Sequence, residues 1–289
     1  MFLKNRNWFL PINLAVAALA CTLGQPAELA AEARQEEMLV TAEEYVFTAP
    51  AETTGGWKAI RLRNRGRDIH HVQLLRLSDG KTVEDFDRAL ATDPTQLPHW
   101  VVRYGGVNSV MPGEEAMVLL DLDPGSYVLI CGIPDQQGRP HAVRGMIKPL
   151  TVTGRGESAP APSATRTLLM KEFSYTFDRL LTVGQHMILV KNEGKQAHEV
   201  LLLALEPGAS VIDFLEFYRP GIPRNPAGRT IGGVTGLAPG RQAFLPLKAE
   251  PGRYGILCFL ADPFRRKPHF MDGMWMDIDV PPTSSPANP

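Results

Sequence analysis

The chain repeats itself. Glu44-Tyr45 recurs as Glu172-Phe173, and Asn64-Arg65-Gly66 as Asn192-Glu193-Gly194. His70-x-Val72-x-Leu74-Leu75-x-Leu77 recurs as His198-x-Val200-x-Leu202-Leu203-x-Leu205. These pairs lie 128 residues apart (44 to 172, 70 to 198). Gly105-Gly106-Val107, Pro112-Gly113, Pro124-Gly125-x-Tyr127 and Cys131 then recur at Gly232, Pro239, Pro251 and Cys258, an offset of 127. Pro140-His141 and Gly145-Met146 return to 128, at Pro268-His269 and Gly273-Met274. So many matches in one order mark a tandem duplication, and any fold that suits one copy must suit the other.

Composition shifts place the boundaries. Residues 1–20 read as an export signal: Lys4 and Arg6, then an apolar run from Leu14 to Leu23 and a small-x-small step at Ala18-Leu19-Ala20. The run falls well short of the roughly 20 residues a spanning helix needs. Cys21, directly after Ala20, is a candidate lipid anchor, although Ala18 stands where lipoprotein signals usually carry Leu. An Ala- and Glu-rich spacer at 21–37 leads into a first domain at 38–154. A small, polar, Pro-rich linker at 155–164 separates it from a second domain at 165–281, and 282–289 forms a tail. The expected location is periplasmic or extracellular, free or tethered at one end.

Gly 26 and Pro 25 favour turns over long helices. Short apolar or alternating runs fit strands at Ala59–Arg63, His71–Leu77, Ala116–Leu122 and Tyr127–Cys131. Met187–Lys191, Val200–Leu205, Gln242–Leu247 and Tyr254–Cys258 repeat them. Such spacing predicts an all-β sandwich or barrel. One short helix interrupts each copy, after the cap-like starts Thr82-Val-Glu-Asp85 and Ser210-Val-Ile-Asp213. These helices are expected to pack between strands, with a partner-binding surface as the other reading.

The chemistry-bearing residues recur too: His70, Cys131, His141 and Met146, then His198, Cys258, His269 and Met274. Two imidazoles, a thiolate and a weak thioether form a blue-copper ligand set. Other readings stay open. The two cysteines could be buried apolar residues or a disulfide, the histidines could cap loops, and the methionines could be core. His71 could replace His70, although strand alternation sends the two to opposite faces. Met271 and Met276 compete with Met274.

On these residues each copy resembles the cupredoxin family of plastocyanin and azurin. Gly125-Ser-Tyr-Val-Leu-Ile-Cys131 resembles that family's strand leading into the ligand Cys, and His141-Ala-Val-Arg-Gly-Met146 its His-x4-Met segment. Asn64-x-Gly66 followed by His70 resembles the segment carrying the first ligand. The resemblance implies two tandem Greek-key β-sandwiches, copper at up to two mononuclear sites, and one-electron transfer or copper handling. It also implies an exposed His edge turned toward a redox-protein partner. One departure stands out: nine residues separate Cys131 from His141 and ten separate Cys258 from His269, where the family has only a few. Loop entropy grows slowly with length, so ligation survives in principle.

Other functions find little support. A net charge of −1 offers no basic footprint for nucleic acid. Oxidases of this architecture hold a second copper cluster with His-x-His pairs. The chain has 7 His and no such pair. The expectation is therefore a non-enzyme, with a metal-free envelope scaffold as the other reading.

Overall fold

The computed structural model describes residues 35–93, 96–156, 159–217 and 227–282. The segment read as an export signal (1–20), Cys21 and most of the stretch read as a spacer lie outside the described residues. Among those residues no helix is long and apolar enough to cross a membrane.

Among the described residues, sixteen strands and two short α-helices follow one order twice. The first half holds β1 (Glu36–Glu43), β2 (Val46–Thr48), β3 (Glu52–Asn64), β4 (His70–Leu77), α1 (Val83–Thr92), β5 (Val101–Val110), β6 (Glu115–Leu122), β7 (Gly125–Ile130) and β8 (Ile147–Arg155). The second holds β9 (Arg166–Lys171), β10 (Ser174–Phe177), β11 (Gly184–Asn192), β12 (His198–Leu205), α2 (Val211–Phe217), β13 (Gly228–Leu237), β14 (Gln242–Ala249), β15 (Gly252–Leu257) and β16 (Trp275–Val280). The protein is all-β. Each predicted strand lies within or against an observed one, and β1 starts at Glu36, inside the stretch read as spacer.

Two sheets run through both halves. One has the order β2-β1-β3-β6-β14-β11-β9-β10, with β1 parallel to β3 and β9 parallel to β11. The other runs from the start of β3 through β8, β7, β4, β5, β13 and β12 to β15 and β16. The halves meet in both sheets. β5 pairs with β13 at Val107↔Val234, which are equivalent residues, and β6 pairs with β14 at Leu119↔Phe244. Apolar residues alternate inward, and one buried cluster extends from Met38 through Val107 and Val234 to Val280. Cys131, Met146, Cys258 and Met274 all belong to it.

Both helices start as the sequence predicts. Thr82 Oγ1 accepts from Asp85 N (3.2 Å), and the Asp85 carboxylate accepts from Thr82 N (3.0 Å). Ser210 and Asp213 repeat this exchange. Phe86 and Leu90 then cover Leu75 and Val128, while Val211 and Phe214 cover Leu201 and Leu257. The helices are packing elements.

Gly106 and Gly233 sit in mid-strand at positive φ, where a Cβ would lie 1.9 Å from Val72 O and 2.0 Å from Val200 O. The glycines let β5 and β13 press against β4 and β12, whose pairing shifts register nearby. Those two strands begin with His70 and His198.

Candidate metal centres

The Asn-x-Gly segments set the first histidine. Asn64 Nδ2 donates to Asp68 O (2.8 Å) and Val110 O (2.9 Å), and its Oδ1 accepts from Gly66 N (2.9 Å). Asn192 makes the same three bonds, to Gln196 O, Leu237 O and Gly194 N. Both buried amides are thus satisfied, and the turn delivers His70 or His198 into the core at the first residue of its strand.

The cysteine comes from the end of β7 or β15, one residue past the strand. The long inserts then fold back on themselves. Pro134 bridges to Pro140 and Ala261 to Pro268, so the extra residues form a closed excursion and the chain returns beside the cysteine. Asp135 ties the first excursion, accepting from Gln137 N (2.9 Å) and Arg139 N (3.0 Å). Asp262 ties the second, accepting from Phe264 N (2.9 Å), Arg265 N (2.8 Å) and Gln196 Nε2 (3.0 Å). His141 and His269 each open a single 3-10 turn, closed by Gly145 and Gly273 in the left-handed region. Ala142 N then donates to Cys131 O (2.8 Å) and Phe270 N to Cys258 O (2.9 Å). Cys131 N donates to Met146 O and Cys258 N to Met274 O, which brings each methionine back beside its cysteine.

Three donor atoms converge in each half. His70 Nδ1 and His141 Nδ1 are 3.2 Å apart, and Cys131 Sγ lies 3.5 Å from His141 Nδ1 and 3.9 Å from His70 Nδ1. His198 Nδ1 and His269 Nδ1 are 3.1 Å apart, with Cys258 Sγ 3.4 Å from His269 Nδ1. All three donors of each group lie within 4.8 Å of one another. Three ligands around one first-row metal, with bonds of about 2.0 Å to nitrogen and 2.3 Å to sulfur, give edges of about 3.5 and 3.7 Å. The triangles found here fit such an ion with little adjustment. Met146 and Met274 are fully buried, whereas Met271 is exposed. Both cysteines are free thiols, so the disulfide reading falls.

Burial sets the proton states. It pushes the Cys131 thiol up to about 12, and raises that of Cys258 with help from the Glu199 charge. His70 and His269 are pushed down to about 4 by burial and by the neighbouring imidazole. Burial also lowers His141 and His198. At neutral pH, without metal, each group of donors therefore consists of two neutral imidazoles and a thiol. A cation entering must displace only the thiol proton.

Outer contacts orient the rings. Glu172 Oε1 lies 3.3 Å from His198 Nε2 and Gln196 Oε1 lies 3.1 Å from His269 Nε2. Each acceptor holds a proton on Nε2 and leaves Nδ1 free to face the sulfur. In the first half His70 Nε2 is buried without a hydrogen-bond partner among the described residues.

The expectation of an exposed His edge needs correction. Glu44-Tyr45 and Glu172-Phe173 occupy the turns of the β1–β2 and β9–β10 hairpins, and their aromatic rings lie over the sites. Tyr45 is 5.1 Å from the His141 ring, and Phe173 is 4.9 Å from that of His269. Arg144 and Arg265 stack above these rings. His141 and His269 are consequently only 1 % exposed, not presented at an open edge. The hairpin lids and long inserts close over them.

No family model matches the chain, and no curated protein matches it. Similar solved structures include a dithionite-reduced auracyanin from Roseiflexus castenholzii (18 % identity, TM-score 0.27, covering 42 % of this chain and 98 % of that one). A blue copper oxidase from Nitrosomonas europaea covers 78 % of this chain and 79 % of its own (13 %, TM-score 0.27). A copper nitrite reductase from the same organism covers 88 % and 95 % (16 %, TM-score 0.25). What decides the architecture is the two-sheet strand order, with a cysteine leaving one strand beside a histidine that opens another. The fold is cupredoxin-like. The expectation of a non-enzyme does not stand, because two of these similar structures carry the names of enzymes, and the cupredoxin-like fold is no evidence against catalysis.

Proposed function

We propose that the protein binds copper at two mononuclear His-Cys-His-Met sites, His70/Cys131/His141/Met146 and His198/Cys258/His269/Met274, and uses them for one-electron transfer or copper handling outside the cytoplasm. The observation that carries this reading is the convergence of two Nδ1 atoms and one Sγ, twice, in buried pockets. Soft thiolate and thioether donors with imidazoles suit copper. Copper supplies one-electron redox chemistry when bound.

The protein's part is to hold the donors still. The asparagine-pinned turns, the tied inserts and the 3-10 turns fix each donor from a separate element. Glu172 and Gln196 fix ring tautomers, and the aromatic lids keep water out. In this reading the two halves are tandem domains at 38–154 and 165–281, with the 1–20 segment directing export and Cys21 a candidate lipid anchor. Electrons would be exchanged with a redox protein docking over the lids.

The test is copper titration of the purified chain. Stoichiometric binding with an intense visible thiolate-to-copper band, lost in the Cys131→Ser/Cys258→Ser double variant, is expected. Absence of bound copper overturns the reading and leaves a metal-free scaffold.

A further inference from the structure

The repeat keeps its His, Cys, His and Met positions but diverges where the halves meet. Gln73 stands against Leu201, Arg103 against Thr230 and His71 against Glu199, at offsets of 128, 127 and 128. These six residues line one cavity of about 970 Å³ between the halves. That volume is at the upper end of the range for small-molecule sites. Leu90, Ile130 and Ile133 of the first half and Leu201 and Leu260 of the second give it apolar walls. Gly132 and Phe259, which follow the two cysteines, line it as well, so an occupant would rest against the main chain beside both metal centres.

Three polar groups in this cavity have bonding capacity to spare. Glu199 is buried and accepts from Phe259 N (2.9 Å) and, at 3.4 Å, from Asn108 Nδ2. A carboxylate has about four acceptor positions. Arg103 is half-buried. Among the described residues its guanidinium makes one hydrogen bond, to Gln73 Oε1 (3.3 Å), and no ion pair. Thr230 is buried, and its Oγ1 has no hydrogen-bond partner among the described residues. A polar group held away from water without a partner costs about 1–3 kcal/mol, which a complementary ligand relieves.

Glu199 and Arg103 belong to one end of the cavity. Arg103 Cδ and Leu260 Cδ1 both approach Gly236, and Gln73 Nε2 donates to Gly236 O across the joint (3.1 Å). Leu260 directly follows Phe259, whose N–H bonds Glu199. The two charges are near enough to shift each other's ionisation. Charge then selects the occupant. An organic anion meets Glu199, Asp68 and Asp135, and a cation meets Arg103 and Arg67. A neutral hydroxyl suits both sides: its hydrogen goes to the carboxylate, and its oxygen accepts from the guanidinium.

We propose that this cavity binds a neutral, largely apolar hydroxy compound, its body between the leucine and isoleucine side chains and its hydroxyl between Glu199 and Arg103. The inference goes beyond the copper reading and needs no metal.

The experiment is a fluorescence titration of the purified full chain with 2-naphthol. Naphthalene, naphthalene-2-sulfonate and 2-naphthylmethylammonium then compete for the site. One naphthol per chain is expected, with each competitor at least tenfold weaker. 2-Decalol carries the hydroxyl on a saturated body: equal binding assigns aliphatic alcohols to the site, weaker binding assigns phenols, and both keep the inference. Leu260→Trp fills the cavity at its polar end and should weaken naphthol at least tenfold. Glu199→Gln should do the same, because Phe259 N–H still claims the amide oxygen and leaves an N–H facing the ligand. Near-UV circular dichroism checks that each variant folds. Should Glu199→Gln not fold, Arg103→Leu removes the other partner of the hydroxyl. No binding, naphthalene or either ion binding as tightly as naphthol, or affinity unchanged in the folded variants overturns the inference. Copper content, measured on the same samples, tests the functional reading separately.

Discussion

His71 and Glu199 hold equivalent positions, one residue after the first histidine of each site, and each accepts the main-chain N–H that follows a cysteine. One is a neutral imidazole and the other a carboxyl group, so the two sites share a ligand pattern but not a charge environment. Burial raises Glu199 to about 6, while Arg103 and the Phe259 amide draw it back down.

The tied insert of the second half should matter to the metal. Asp262 accepts from two main-chain amides and from Gln196, whose Oε1 in turn reaches His269. Asp262→Ala should cost about 2 kcal/mol, the scale of hydrogen bonds to a charged group. Loss of such outer support typically weakens metal affinity about 10–100-fold. Competition with a copper chelator measures the second effect, and unchanged affinity at the second site would refute it.

Gly106→Ala should be far worse than an ordinary surface change. The new Cβ meets Val72 O at 1.9 Å in a left-handed backbone. A loss on the order of 3 kcal/mol is expected from strain and displacement together. Because β4 begins with His70, the first site should lose copper while the second keeps it. Denaturant unfolding and the copper content of the folded fraction check both parts.

The metal-free protein should weaken in acid over a defined range. His70 and His269 titrate near 4 when folded and near 6.5 when unfolded. Between those values the unfolded chain binds more protons, so stability falls as the pH drops from about 6.5 to about 4. Above that range these groups contribute no slope. Copper should shift the fall to lower pH by competing with the protons. Unfolding midpoints across the range, with and without copper, provide the measurement.

The aromatic lids should slow small reagents. Phe173→Ala uncovers the His269 ring, which is now 1 % exposed. Reduction of the second centre by a small hydrophilic reductant should speed up, while the first centre is unaffected. Stopped-flow traces showing no acceleration would rule out the lid as a barrier.

The sites were legible because identical residues recur in fixed order, and His70, Cys131 and His141 need no partner from elsewhere in the chain. The strands carrying them were legible from alternation and turn residues. What escaped depends on shape. Glu44-Tyr45 was visible as a match, but its role follows from a hairpin that leans over the site. Asp135 and Asp262 match at the 127 offset, yet their use in tying a loop appears only once the loop has folded. His71 and Glu199 were invisible to a search for identity, because the conserved property is accepting one amide and not the residue type. The glycine pair at 105–106 is visible only as a match, but it lies mid-strand where two backbones nearly touch.

The pairing of β5 with β13 and β6 with β14 has a consequence for the life of the molecule. Each half covers the other's raw sheet margins, two at once. Cut apart at the segment between β8 and β9, either fragment would bare two unpaired edges, templates for self-association. Opening one half strips cover from its neighbour as well, so the two pockets should survive heat and proteolysis together or fail together, and neither is free to be discarded as a spare.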